Sequence, residues 1–218
     1  MKINLKNSLQ LLSVVVLLIL PVAVDLFTPF TFWFLIGNSA LVSLYIYFSK
    51  GEFEWVDTFK RQFTLKTIVH GILLGIFLWF VFDVVFKVLV ESLFSIETDY
   101  SRFENLRNNL KPTLQLLLSI WVSAALCEEI IFRGFLLEKV KWISKNNWVA
   151  IVVSALLFGS IHIYQGPSGI IITTLSGIIL GAIYVKSNFN LFLLFIIHGI
   201  ADSIFFINIY TGWDKYLF

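Results

Sequence analysis

Apolar residues run in long blocks along this chain, and short polar segments separate the blocks. A helix needs about 20 mostly apolar residues to cross a hydrocarbon core about 30 Å thick. By this measure the sequence predicts an all-α, polytopic transmembrane bundle of about seven spans. Their approximate limits are 8–27, 29–48, 67–90, 113–136, 148–165, 169–186 and 190–210.

The polar connections carry signals of their own. The basic segment 49–66 contains Trp55 and other aromatic residues, which predicts a short amphipathic helix at the headgroups. Pro112 suits the first turn of the fourth span. Residues 165–169, Gln-Gly-Pro-Ser-Gly, predict a turn, and residues 25–29 are expected to form a tight hairpin between the first two spans.

Two Gly-x-x-x-Gly pairs, Gly71 with Gly75 and Gly177 with Gly181, each place small residues on one helix face. Such pairs allow two membrane helices to approach closely. We expect both pairs to serve packing within a compact bundle, and they indicate nothing about chemistry.

Composition supports a membrane protein and excludes several other classes. The chain is 58% hydrophobic and 14% charged, against about 25% charged residues in soluble proteins. No polar segment is long enough to fold separately, so residues 1–218 are predicted to form one membrane-embedded domain. The basic residues flank apolar runs and do not form one surface on which basic and aromatic residues alternate. This distribution argues against nucleic-acid binding.

The distribution of positive charge predicts an orientation. With the N-terminus inside, ten Lys and Arg residues fall in cytoplasmic segments and four fall outside. The positive-inside rule therefore favours a cytoplasmic N-terminus and an external C-terminus. The apolar run from Leu9 to Val24 follows Lys2 and Lys6, as in a signal peptide, but no small-x-small cleavage site follows it, and we expect a retained span.

The fourth span contains a charged cluster, although charges at membrane depth are costly and usually face a functional cavity. Glu129 and Arg133 are four residues apart, so on a helix they stack on one face and can form an ion pair. Glu128 is turned about 100° away from Glu129. A buried carboxylate without a strong cationic partner suits general acid and base chemistry.

Later spans contain further polar residues. His162 lies in the fifth span, and His198 and Asp202 share a face of the seventh. Because unpaired polar groups in hydrocarbon are costly, we expect these residues to converge with the charged cluster. The span limits place Glu128 towards the cytoplasmic side and His162 towards the outer side, so convergence requires shifted span limits, helix tilt or a break near Gly159.

We expect the other polar residues of the spans to have structural roles. Cys127, the only cysteine, precedes Glu128 directly, but nothing marks it as a thiolate nucleophile. His70 lies near the start of the third span. Asp83 and Lys87 are spaced for an ion pair within one helix.

Three motifs follow one another on successive apolar helices: Glu128-Glu129-x-x-x-Arg133, Phe158-x-x-x-His162 and His198-x-x-x-Asp202. Together they resemble the CPBP (Abi) family, the CaaX-protease and bacteriocin-processing intramembrane endopeptidases. The resemblance covers residues 113–210.

This resemblance implies peptide-bond hydrolysis in a cavity within the membrane. By motif position, Glu128 resembles the residue that activates water, and His162 the residue that positions or deprotonates it. Glu129 and Arg133 correspond to a supporting pair. His198 and Asp202 stand where the family has oxyanion-stabilising or metal-binding residues.

Asp202 departs from members that carry Asn at this position. An amide can donate a hydrogen bond to an oxyanion, whereas an ionised carboxylate would repel it. Asp202 must therefore be protonated, orient His198 from behind, or bind a cation.

Two mechanisms are open. In one, Glu128 acts as a general base on water without a metal, and His162 and His198 stabilise charge. In the other, His162, His198 and a carboxylate, Glu128 or Asp202, hold Zn²⁺, whose bound water ionises near neutral pH. We favour the metal-free mechanism, although the family is often labelled a metalloprotease.

We therefore predict an intramembrane endopeptidase acting on a peptide or a membrane-tethered protein, in a bacterial cell membrane and without nucleic acid. The alternative is a non-catalytic membrane protein that binds a partner, in immunity or regulation. A proton-coupled transporter is less favoured, because no inverted repeat is visible.

Overall fold

A computed structural model describes residues 31–48 and 53–215, which form helices joined by short turns. We number the main helices α1 to α7. They span Thr31–Phe48, Glu54–Gln62, Leu65–Phe94, Leu110–Ser144, Asn147–Ser160, Gly166–Lys186 and Leu191–Thr211. The predicted all-α class is confirmed, and the predicted span 8–27 and its hairpin lie outside the described residues.

The lengths of these helices agree with a multi-pass integral membrane protein. Within the described ranges, four helices are long and apolar enough to cross a bilayer: Leu65–Phe94, Leu110–Ser144, Ile163–Lys186 and Leu191–Thr211. The apolar helices Leu35–Phe48 and Asn147–Ser160 are shorter. The total of seven spans and the cytoplasmic N-terminus stay predictions.

The limits of α4 and α5 differ from the sequence prediction, and both differences affect the site. Helix α4 is longer than predicted at both ends, with Pro112 in its first turn. Helix α5 ends at Ser160, before the predicted limit of 165. The chain then turns through a short 3₁₀ segment to Gly166, whose φ of 75° favours glycine.

Both Gly-x-x-x-Gly pairs lie at close helix contacts. Helix α3 packs against α7, and a Cβ atom at Gly71 would lie 2.6 Å from Ile196 Cγ2. Helix α5 packs against α6, where a Cβ at Gly177 would lie 3.0 Å from Ala155 Cα. The sequence prediction of packing glycines is confirmed.

Replacing Gly75 with Ala is expected to loosen the contact between α3 and α7. The added Cβ would lie 2.9 Å from the Ile197 carbonyl oxygen, which is backbone and cannot rotate away. We expect a loss of about 1–3 kcal/mol in the free energy of unfolding, measured by thermal or denaturant unfolding in detergent. Gly37→Ala is the matched control, since no described atom lies within 4 Å of a Cβ there; equal losses in the two variants would contradict the prediction.

Helix α2 confirms the predicted amphipathic helix but docks onto the protein. The Glu138 carboxylate of α4 accepts hydrogen bonds from the Glu54 backbone N–H at 2.5 Å and the Tyr184 hydroxyl at 2.6 Å. This carboxylate therefore caps the N-terminus of α2 from a distant part of the chain. Phe53, at the start of α2, is buried among side chains of α1 and α4 rather than at headgroups.

Candidate active site

The middle of α4, from Trp121 to Leu137, widens into π-helical geometry. Such segments are usually short and often occur at functional sites. Two carbonyl groups of this segment accept hydrogen bonds from side chains of other helices. Ser154 Oγ donates to the Phe132 carbonyl at 2.7 Å, and Trp55 Nε1 donates to the Gly134 carbonyl at 2.9 Å. These bonds fix α4 against α5 and α2 at the level of the charged cluster.

Glu129 and Arg133 form an ion pair deep inside the protein. Arg133 Nη1 donates to Glu129 Oε1 at 2.9 Å, and both side chains are about 1% exposed. The guanidinium carbon of Arg133 also lies 4.3 Å from the centroid of the Phe158 ring, a cation–π contact. The contact expected from the four-residue spacing is present, and it joins α4 to α5.

Glu129 also holds His198. His198 Nδ1 lies 2.8 Å from Glu129 Oε1, the oxygen that accepts from Arg133. Beside a guanidinium this carboxylate is ionised and can only accept, so Nδ1 carries the hydrogen. Glu129 rather than Asp202 therefore orients the imidazole from behind, a link between α4 and α7 that the sequence analysis missed.

Asp202 lies at the other nitrogen of the same ring. His198 Nε2 and Asp202 Oδ2 are 3.5 Å apart. A neutral imidazole with its hydrogen on Nδ1 would direct its Nε2 lone pair at this carboxyl group, and two acceptors repel. The pair is favourable when it shares one proton, carried by the ring or by the carboxyl group.

His162 lies in the turn that follows α5. Its Nδ1 lies 3.0 Å from the Phe158 carbonyl oxygen. A carbonyl only accepts, so Nδ1 is the donor, and in the neutral ring Nε2 is the proton-accepting nitrogen. The ring packs against Phe158 with centroids 5.0 Å apart, which fixes its orientation.

Glu128, His162, His198 and Asp202 line one cavity of about 470 Å³. The long α4 places Glu128 near the middle of its helix, and the early end of α5 places His162 in the turn after that helix rather than within it. With these limits, Glu128 and His162 reach the same cavity. The predicted convergence therefore occurs within this bundle.

The two neighbouring glutamates of α4 occupy different environments. Glu128 is 6% exposed and belongs to the cavity wall. Glu129 is fully buried against Arg133 and His198, behind that wall. The carboxylate that can meet a ligand is thus Glu128.

Cys127 lies away from the cavity wall. Ser39 Oγ of α1 donates to its sulfur at 3.1 Å, and the side chain is buried. This contact agrees with a structural role in packing α1 against α4.

Within 31–48 and 53–215, no group of three or more His, Cys, Asp or Glu side chains is placed to hold a metal ion. The Nδ1 atoms of His162 and His198 are hydrogen-bonded to Phe158 and Glu129, so Nε2 is the nitrogen of each ring that can meet a ligand.

The part of the chain that supplies these residues matches a known family. Residues 110–204 match the family model described as Type II CAAX prenyl endopeptidase Rce1-like. Over this segment the chain is similar to the CAAX proteases. The match confirms the resemblance to the CPBP proteins and supports a protease. No curated protein and no solved structure matches the chain.

Part of the cavity wall lies outside the CAAX-protease segment. Helix α3 contributes Trp79 and Asp83, and the connection between α3 and α4 contributes Tyr100 and Arg102. The sequence analysis paired Asp83 with Lys87 and gave the pair a structural role. The sequence did offer a signal for a functional role of Asp83, because a carboxylate within an apolar span usually faces a functional cavity.

The connection between α3 and α4 is fixed over this end of the cavity. The Asp99 backbone N–H donates to the Gln165 carbonyl at 3.0 Å. Arg107 donates through Nη1 and Nη2 to the two Asp214 oxygens, each at 2.7 Å. Hydrogen bonds to Asp214 and then Glu104 hold the pKa of the Arg107 guanidinium above its ordinary value, so this clamp stays charged.

Proposed function

We propose that the protein is an intramembrane endopeptidase that hydrolyses a peptide bond in a peptide or a membrane-tethered protein. The observation that carries this proposal is the division of the two glutamates. Glu129 is engaged by Arg133 and His198, while Glu128 faces a cavity shared with two histidines. The protease family of the matched segment supports the same activity.

In the proposed mechanism, Glu128 removes a proton from a water molecule that attacks the carbonyl carbon of the scissile bond. His162, with Nε2 as its proton-accepting nitrogen, positions this water. When the proton of the His198–Asp202 pair is on the ring, His198 donates a hydrogen bond through its Nε2–H to the oxyanion of the tetrahedral intermediate. Glu128 then delivers its proton to the leaving amine as the carbon–nitrogen bond breaks.

Substituting His162 with Ala should slow cleavage with little effect on folding. The imidazole positions water at the cavity wall, and loss of such a group costs on the order of 10²-fold in kcat/KM. The measurement is peptide cleavage by purified protein in nanodiscs, followed by mass spectrometry. His70→Ala is the matched control, because His70 is exposed on α3 and contacts only its own helix through the Lys66 carbonyl. Equal activity of the two variants would remove His162 from the mechanism.

Removal of divalent metal is expected to leave cleavage unchanged. The proposed steps use only carboxyl and imidazole groups of the chain. The test is metal analysis of the purified protein together with activity before and after exhaustive chelation. Loss of activity that zinc alone restores would establish the zinc mechanism instead.

A further inference from the structure

Helix α3 forms a wall of the cavity that the proposed mechanism does not use. Its backbone widens into π-helical geometry from Phe80 to Phe86. Trp79, Phe82 and Asp83 of this region line the cavity together with residues of α7. None of the three belongs to the matched segment 110–204. The cavity therefore has two walls. One comes from the matched segment and carries the residues of the proposed mechanism, and the other comes from α3, outside that segment.

The cavity carries an excess of carboxyl groups. Among the described residues that line it, Asp83, Glu128 and Asp202 are acidic and Arg102 is the basic residue apart from the histidines. The Arg102 guanidinium lies over the Tyr164 ring, 4.4 Å from its centroid. Like charges in a poorly solvated cavity are costly, and an incoming cation relieves that cost.

Lys87 does not remove this excess from the cavity. It follows Asp83 by one turn but is not among the lining residues. Its ammonium lies 5.1 Å from the centroid of the Tyr100 ring.

We propose that α3 selects the substrate, and that Asp83 is a specificity-determining residue for a Lys or Arg side chain of the peptide. The cationic side chain binds at Asp83, on the side of the cavity that also holds Asp202. This inference rests on the proposed function, since it names the class of peptide which that site accepts.

The test compares cleavage of paired peptides. The probe is a set of synthetic peptides of randomised sequence, made in pairs. The two members of a pair differ at one position, where one has Lys and the other has norleucine, its uncharged analogue. Wild-type protein in nanodiscs should cleave the Lys members with kcat/KM about tenfold higher or more, as expected of a charged hydrogen bond. Asp83→Asn should bring this ratio close to one.

A further variant makes the comparison specific. Glu91→Gln, on the same helix and near Lys87 but outside the cavity wall, should keep the Lys preference. A wild-type protein that cleaves both members of each pair equally well, or an Asp83→Asn variant that keeps the Lys preference, overturns the inference.

A binding measurement separates recognition from catalysis. Fluorescent versions of the same pairs are titrated into Glu128→Gln protein, with and without Asp83→Asn. If the Lys members bind more tightly, and this difference disappears with Asp83→Asn, the inference is supported. This holds even when wild-type protein cleaves no peptide, and the proposed function alone then fails. Equal binding of both members overturns the inference whatever the cleavage data show.

Discussion

Glu128→Gln should abolish cleavage while the protein still folds and accumulates in membranes. The amide has nearly the size of the carboxylate, so packing at the cavity wall is preserved, but it cannot take a proton from water. Loss of a general base costs on the order of 10³-fold in rate. The measurement is kcat/KM on cleaved peptides, with thermal unfolding of the same sample as the check on folding.

Cys127→Ala is the control for this substitution. Cys127 adjoins Glu128 in the chain but contacts Ser39 away from the cavity, so the variant should keep its activity. Activity in Glu128→Gln would contradict the mechanism. A cellular phenotype that survives Glu128→Gln would favour the non-catalytic, partner-binding alternative.

Arg133→Met should strongly destabilise the protein. It leaves the Glu129 carboxylate in a fully buried position with only His198 as a partner. Breaking a buried ion pair from one side costs about 3–5 kcal/mol, because the remaining charge is no longer compensated. The cation–π contact with Phe158 is lost as well. Unfolding in detergent measures the effect, and we also expect reduced accumulation in membranes.

The double variant Arg133→Met with Glu129→Gln separates charge burial from packing. The amide that replaces the carboxylate is neutral and its carbonyl oxygen can still accept from His198, so part of the lost stability should return. Lys141→Met is the control: its ion pair with Glu54 is partly open to solvent, with side chains 25% and 56% exposed, and ion pairs in contact with solvent contribute about 1 kcal/mol or less. A single Arg133→Met variant as stable as the Lys141→Met control would refute the assigned role of the pair.

Contacts within one helix were predictable from the sequence, because spacing alone determines which residues share a face. This holds for Glu129 with Arg133 and for His198 with Asp202. The long apolar helices α3, α4, α6 and α7 were also predictable, since their length in the sequence is that of a membrane span. The glycine pairs were correctly assigned to helix contacts because a small residue on a helix face has few other uses.

Contacts between helices were not predictable, because they depend on how each helix is rotated about its axis. The bond from His198 to Glu129 and the position of Asp83 in the cavity belong to this group. The Glu138 cap of α2 was missed for a related reason, since its donor lies 84 residues away in the chain. The π-helical middle of α4 has no marker in the hydrophobic pattern, and it changes the direction of side chains beyond it.

The shortness of α5 has a consequence for hydration. Its 14 residues reach about 21 Å at 1.5 Å per residue, whereas the hydrocarbon core is about 30 Å thick. A bilayer meets such a mismatch by thinning locally, and the polar turn after Ser160 then lies below the level of the surrounding headgroups. We expect such a depression to lie beside His162, where it would give bulk water a path to the hydrolysis proposed above.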